Sequence, residues 1–262
     1  MSDEVDRGHE ALWRAILMGT RRLTRIEHSA FSHLPSPPRC EICASPFKGP
    51  FAPVLRFLGR APFVKNPRYC AVCIGGLMKH KGGAEVELTA LFADVRGSTP
   101  MAERLGAPGI HDVMDHFYSE GVDALIQGGA LIERFMGDQI VGYFVPGYAG
   151  HDHAKRALET GLEVLRVTGN VGGDAGWLPV GVGVHTGTAF IGTVGRPGGL
   201  IELTALGEDV NVAARLASEA GAGEIVCSET TFRDAGLELA SERRVVTLKG
   251  VSEPVSVRVI RA

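Results

Sequence analysis

AEVELTALFADVRGST, residues 84–99, is the stretch whose reading decides the fold. Val86, Leu88, Ala90 and Phe92 alternate with Glu85, Glu87 and Thr89, the period of a strand with one face buried. The strand runs into Asp94, and Gly97-Ser98-Thr99 opens the helix that follows. Unpaired N–H groups at a helix start attract phosphate, and a carboxylate just before it can hold a divalent cation. Taken alone, the turn has a simpler reading, with Ser98 or Thr99 as a helix N-cap.

Downstream, Ile110, Val113, Met114, Phe117 and Tyr118 have the spacing of a helix buried along one stripe. ALIERF and QIVGYF flank Met136-Gly137-Asp138 as a hairpin with an acid at its tip. Ala154, Ala157, Leu158, Gly161, Leu162 and Leu165 predict a second helix, and Val180, Val182 and Val184 a strand. Val255, Val257 and Val259 predict a closing strand. Strand, helix, hairpin, helix, strand is the βαββαβ layout of an α+β, ferredoxin-like fold, with helices on one face of a mainly antiparallel sheet. If the strands over 86–92 and 130–135 are neighbours, Asp94 and Asp138 bring two hard oxygen ligands to one sheet edge, which suits Mg²⁺ or Mn²⁺. In ALGEDVNVAARL, residues 205–216, Asn211 and Arg215 lie four apart on one helix face. An amide and a guanidinium so aligned can hold a ribose oxygen and the charge of a phosphorus in transit, although a solvated polar stripe has the same pattern.

Gly82-Gly83 separates this region from a different one. Residues 1–81 carry 13 Lys/Arg and 6 Asp/Glu, against 14 and 24 in the remainder. Residues 8–26, with Leu12, Ala15, Ile16, Leu23 and Ile26, predict one amphipathic helix, for which packing on protein is favoured over a membrane surface. LPSPP then breaks the chain. Cys40-x₂-Cys43 and Cys70-x₂-Cys73 form a four-thiolate pattern suited to tetrahedral Zn²⁺; iron or an iron–sulfur cluster is the alternative, and would make this part a metal or redox sensor. His80 is a weaker candidate ligand. The Phe- and base-rich segment between the knuckles is expected to pack its phenylalanines beneath the metal rather than bind nucleic acid. Cys227 reads as a core thiol and His185 as a satisfied core histidine. The expected division is 1–34 (helix and linker), 35–82 (metal module) and 83–262 (catalytic domain). No apolar run approaches the ~20 residues of a membrane span, and MSDEVDRGHE is no secretory signal, so the expected location is the cytoplasm.

LFADVRGST, RFMGD, VGVGVHTGTAFIGTVG, TALGEDVNVAARL and VTLKGVSEPVSVRV, in this order, resemble the catalytic domain of class III adenylate and guanylate cyclases over about residues 84–261. The resemblance implies a homodimeric enzyme that closes a purine nucleoside triphosphate into a 3′,5′-cyclic monophosphate with two Mg²⁺ or Mn²⁺ per site. It makes Asp94, Asp138 and the Val95 carbonyl metal ligands, Asn211 the ribose-orienting residue and Arg215 the transition-state donor. Phe92, Gly97, Ser98, Thr99, Arg134 and Thr204 would contact substrate. Arg134 and Thr204 stand where adenylate cyclases carry Lys and Asp or Thr, and guanylate cyclases Glu and Cys, so ATP is favoured over GTP. Glu224 stands where a triphosphate-contacting Lys is often found. The rival reading is a non-catalytic signalling scaffold of the same fold.

Overall fold

The computed structural model describes all residues except 1, 21, 35–37, 41, 64–65, 80–81, 133–136, 173–175, 196–200 and 250–253; for 2–8, 22–25, 32, 66–68, 74, 77–79 and 201–202 it describes the backbone alone. Two compact units divide the chain, Met1–Val86 with Phe190–Leu206, and Glu87–Ala189 with Gly207–Ala262.

The first unit begins with α1 (Ser2–Leu17) and α2 (Arg22–Ser32). The single helix expected over 8–26 is therefore two, and Gly19 is the reason. Its φ of 65° is left-handed, and the Gly19 and Thr20 N–H groups turn back onto the carbonyls of Ile16 and Ala15 at 3.1 and 3.0 Å. Glycine ends a helix this way because it has no Cβ to clash. Then come α3 (Ala52–Phe57), the antiparallel pair β1 (Pro62–Phe63) and β2 (Asn66–Cys70), and α4 (Ala71–Lys79). Phe47 is buried as expected, but Phe51 and Phe57 are exposed: α3 spends its inner face on Ala52 and Leu55. His80 lies outside the described residues.

The remaining elements are β3 (Gly83–Val95), α5 (Ser98–Gly128), β4 (Leu131–Ile132), β5 (Gln139–Phe144), α6 (Pro146–Ala149), α7 (His153–Val167), β6 (Val180–Gly195), β7 (Ile201–Leu206), α8 (Glu208–Glu219), β8 (Glu224–Ser228), α9 (Glu229–Ala235), β9 (Glu242–Val246) and β10 (Val255–Arg261). The strands run β4-β5-β3-β6-β8-β10-β9, with β7 paired to β6. The first four are the βαββαβ arrangement, and β8, parallel to β6, extends it.

In the second unit the sheet has a helix layer on each face rather than one. Phe117 and Leu125 of α5 and Leu158 and Leu165 of α7 pack with Leu91, Ile140, Val182, Ile225 and Cys227. Leu216 of α8 packs instead with Val226, Val257 and Val259. Ile225 and Val226 are consecutive on β8, so their side chains leave opposite faces. Cys227 is a core thiol, pushed up to about 12 by burial.

Gly183 lets α8 lie directly on β6. A Cβ there would sit 2.1 Å from the Ala217 nitrogen and 2.5 Å from the Ala213 carbonyl oxygen, backbone atoms that cannot swing aside. Gly183→Val should therefore cost about 3 kcal/mol or more and lower Tm by about 10 °C, measured by calorimetry; an unchanged Tm would mean that α8 does not seat on this strand.

Candidate active site and cysteine centre

The neighbour of β3 is not the strand before Asp138, as expected over 130–135, but the one after it: among the described residues β4 pairs only with β5, and antiparallel pairing of β3 with β5 sets Asp94 opposite Gln139. The Val95 N–H donates to the Asp138 carbonyl at 3.1 Å, so the two aspartates leave adjacent strands at the same edge. Gly97, with φ of 69°, turns the chain into α5 without any side-chain cap. Ser98 is thus not an N-cap: its hydroxyl donates to the Asp138 carboxylate. On the other side of the turn, Tyr118 donates to the Gly137 carbonyl. Burial, with the Asp138 charge added, pushes the Tyr118 phenol up.

Asp94 is half-buried and ion-paired with Arg96. Burial pushes its carboxyl up, the Arg96 guanidinium pulls it down, and the Asp138 charge pushes it up again, with a net rise. A half-buried carboxyl pushed up beside a second acid is a donor set that a hard divalent cation fits. Arg96 also holds the edge in place, its N–H on the Pro179 carbonyl at 2.8 Å and its guanidinium on the Ser218 carbonyl at 3.3 Å.

Asn211 and Arg215 stand together on the outer side of α8, Asn211 exposed and Arg215 half-buried, while Val212, Ala213, Leu216 and Ala217 face inward. Among the described residues, no hydrogen bond or ion pair joins either to Asp94 or Asp138. The start of α8 is clamped by Asp209, which sequence reading missed. Its carboxylate accepts from the Thr188 N–H at 2.7 Å and lies 3.0 Å from His185 Nε2. His185 Nδ1 is 2.8 Å from the Ser228 hydroxyl, so both ring nitrogens are satisfied. Gly187 makes room, since a Cβ there would fall 2.2 Å from the Asp209 carboxylate. The spacing E-D at a helix start was the available signal, because acids are favoured in a first turn.

Of the other expected substrate residues, Phe92 is buried, Gly97 and Thr99 are exposed, and Thr204 is half-buried in the first unit; Arg134 lies outside the described residues. Glu224, at the position of the absent Lys, is engaged elsewhere, with Arg261 at 2.9 Å, Arg244 at 3.3 Å and the Gly221 N–H at 3.0 Å.

In the first unit the Sγ atoms of Cys40, Cys43, Cys70 and Cys73 all lie within 4.8 Å of one another. Cys43 and Cys70 are 3.8 Å apart, and a tetrahedral site with Zn–S of about 2.3 Å has S···S edges of about that length. Backbone N–H groups of Cys70 and Cys73 point at Cys40 and Cys70 sulfur, at 3.2 and 3.4 Å. Arg60 donates to Cys43 Sγ at 3.2 Å and to Glu27 at 2.6 Å. Four thiols this close cannot all ionise unaided: hydrogen bonds from Cys40, Cys70 and Cys73 hold the Cys43 thiol far down, whereas those with Cys43 and Cys70 drive Cys40 up. A thiophilic cation resolves that conflict, so the residues fit one.

Comparison with known proteins points to one family. The adenylate cyclase of Anabaena cylindrica is 28% identical over 213 residues, 76% of this chain and 42% of its own. Adenylate cyclase 1 of Rhizobium meliloti is 30% identical over 145 residues, 52% of this chain and 22% of its own. This chain thus spans less than half of these relatives. Among solved structures, the guanylyl cyclase Cya2 superposes with a TM-score of 0.61 at 31% identity, covering 68% of this chain and 93% of that one. The adenylyl cyclase CyaB from P. aeruginosa gives 0.61 at 26%, covering 69% and 96%. Residues 83–256 match the family described as the adenylate and guanylate cyclase catalytic domain, and with two thirds of its length inside that match, the chain belongs to this class III cyclase family.

Proposed function

We propose that the protein is an adenylate cyclase that converts ATP to 3′,5′-cyclic AMP and pyrophosphate as a cytoplasmic homodimer. The observation that carries the reading is the convergence of Asp94 and Asp138 on one sheet edge beside the start of α5. Asp94, Asp138 and the Val95 carbonyl would hold two Mg²⁺ or Mn²⁺. When bound, such ions lower the pKa of the ribose 3′-hydroxyl and stabilise the triphosphate charge. The rest falls to the chain's own groups. The Gly97-Ser98-Thr99 turn offers backbone N–H groups to phosphate oxygens, and Phe92 contacts the nucleotide. Asn211 orients the ribose, so that its 3′-oxygen approaches the α-phosphorus in line with the departing pyrophosphate. Arg215 donates to the oxygens on which charge gathers. Arg134 and Thr204 read the base. Adenylate cyclase names among the relatives support ATP, and the Cya2 name makes GTP the substrate to test against it.

The metal pairs of the site come from one chain and the Asn211/Arg215 pair from the other in this reading. The remaining division is a helical segment 1–34, a zinc module 35–82 that regulates the enzyme, and the catalytic domain 83–262. Sulfur-only ligation, with a contact distance of 3.8 Å, fits zinc, and it fits the alternative of iron as well.

Incubation of the purified chain with Mn²⁺ and ATP or GTP, followed by chromatography, should yield cyclic AMP in excess over cyclic GTP. Arg215→Ala should lower kcat by about 10²–10³, the usual loss of such a donor, and Asp94→Ala should abolish product. Mixed as heterodimers, these two inactive chains should recover part of the activity; silence from confirmed heterodimers would refute the shared site. Nucleotide binding without product from the wild type would favour the scaffold.

Asp209→Ala leaves the Thr188 N–H and His185 without their acceptor. It should lower stability by about 1–3 kcal/mol by denaturant titration and reduce kcat more than it weakens nucleotide binding, because the helix bearing Asn211 and Arg215 loosens. Equal losses in binding and turnover would contradict this.

Elemental analysis should find one zinc per chain and no visible absorption; Cys43→Ser should lose the metal and unfold the module, as read by circular dichroism. A coloured, iron-containing protein would replace zinc with the sensor reading.

A further inference from the structure

The short helix α3 has two apolar sides. Ala52 and Leu55 are buried, whereas Val54, Phe57 and Leu58 are 62%, 90% and 60% exposed. Their i, i+3, i+4 spacing puts those three on one outer stripe. Phe51, 44% exposed, adjoins it in sequence. Val72, 46% exposed, reaches the same end of the helix, its Cγ2 lying 3.5 Å from the place a Cβ would take at Gly59. Phe57 stands clear of its neighbours instead of lining a groove. Water gains nothing from meeting such a stripe, so a partner is implied.

Charge identifies the partner. Residues 38–79 carry seven Lys/Arg and one acid, Glu41. Lys48 and Arg56 are both exposed, Lys48 three residues before Phe51 and Arg56 between Val54 and Phe57 in the chain; Arg56 is steadied by the Phe47 carbonyl at 3.1 Å. A second copy of this face would bring cations against cations as it excluded water, which opposes self-association. Exposed apolar side chains on a segment this rich in bases match an anionic lipid surface, where the side chains enter the headgroup boundary and the bases meet phosphate. The cysteine knuckles precede and follow α3 in sequence, which fixes the stripe on a folded support rather than on a free amphipathic helix.

We propose that α3 of the cysteine module is a membrane-docking surface for anionic bilayers, entered by Phe57, Leu58 and Val54 and oriented by Lys48 and Arg56. It does not depend on the cyclase reading. The contact differs from that considered for residues 8–26, because it lies on α3, between the two cysteine pairs in the chain.

The test is sedimentation of the full-length, metal-loaded chain with vesicles of phosphatidylcholine alone and with about one third phosphatidylglycerol. Binding should be confined to the anionic vesicles and should weaken at high salt. Phe57→Glu with Leu58→Glu should lower the partition coefficient by about tenfold or more, and Lys48→Glu with Arg56→Glu should do likewise, each with metal content unchanged. Phe57→Ser, a milder change at the most exposed of these positions, provides a second variant if the double substitutions lose metal. Wild-type protein that ignores anionic vesicles, or glutamate or serine variants that bind them as well as wild type, overturns the proposal. So does an oligomer in solution that Phe57→Ser dissociates, which would make the stripe an interface between copies.

Discussion

Pairing of β3 with β5 places Asp94 opposite Gln139 and ties the Val95 N–H to the Asp138 carbonyl. A slip of one residue would send every side chain of β3 to the other face and move Asp94 off the edge. Burial prevents that slip, because Leu91 and Ala93 enter the core with Ile140 and Phe144. The same apolar residues that make the sheet stable therefore fix where the two carboxylates meet. The arrangement carries a cost, since Asp94 is held partly out of water beside another acid; Arg96 offsets it. A cation at this edge would share Asp94 with a guanidinium already in place, which would weaken its hold.

Opposite faces of the sheet are joined by hydrogen bonds as well as by packing. His153, at the start of α7, lies 2.8 Å from the Thr89 hydroxyl, which is 2.8 Å from that of Thr186. The Thr186 N–H donates to Thr231, and Thr231 meets Ser228, each at 2.8 Å. Ser228 continues to His185 and thence to Asp209 on α8. Each buried polar group in this chain is satisfied by the next, and such networks specify one arrangement of their elements. The relay thus joins the start of α7 to α8 through the interior, without including Asn211 or Arg215.

Much of this was legible because the core strands repeat with period two and the helices with period 3.6. Val86, Leu88 and Phe92 gave β3, Ala154 to Leu165 gave α7, and Val255, Val257 and Val259 gave β10. What periodicity could not carry was pairing at a distance. His185 and Asp209 are 24 apart, and neither position shows by itself that the other supplies its partner. The two-faced sheet is hidden for a related reason: the side on which α8 lies follows only from the parallel pairing of β8 with β6. Gly19 was read as a helix residue because an apolar stripe continues past it, while a single left-handed glycine decides the break. On α3 the phenylalanines were assigned to the interior by their chemistry, yet a helix of six residues has room to bury only Ala52 and Leu55.

The distribution of charge within one chain bears on the choice between a shared and a self-contained site. Asp94 has its guanidinium in Arg96, and Asp138 has the Ser98 hydroxyl. Among the described residues, no carboxylate pairs with Arg215, although it is half-buried. A cation withdrawn from water normally finds an anion. Among the described residues neither Asp94 nor Asp138 supplies it, which leaves the Arg215 guanidinium open to the phosphate that the proposed shared site would bring.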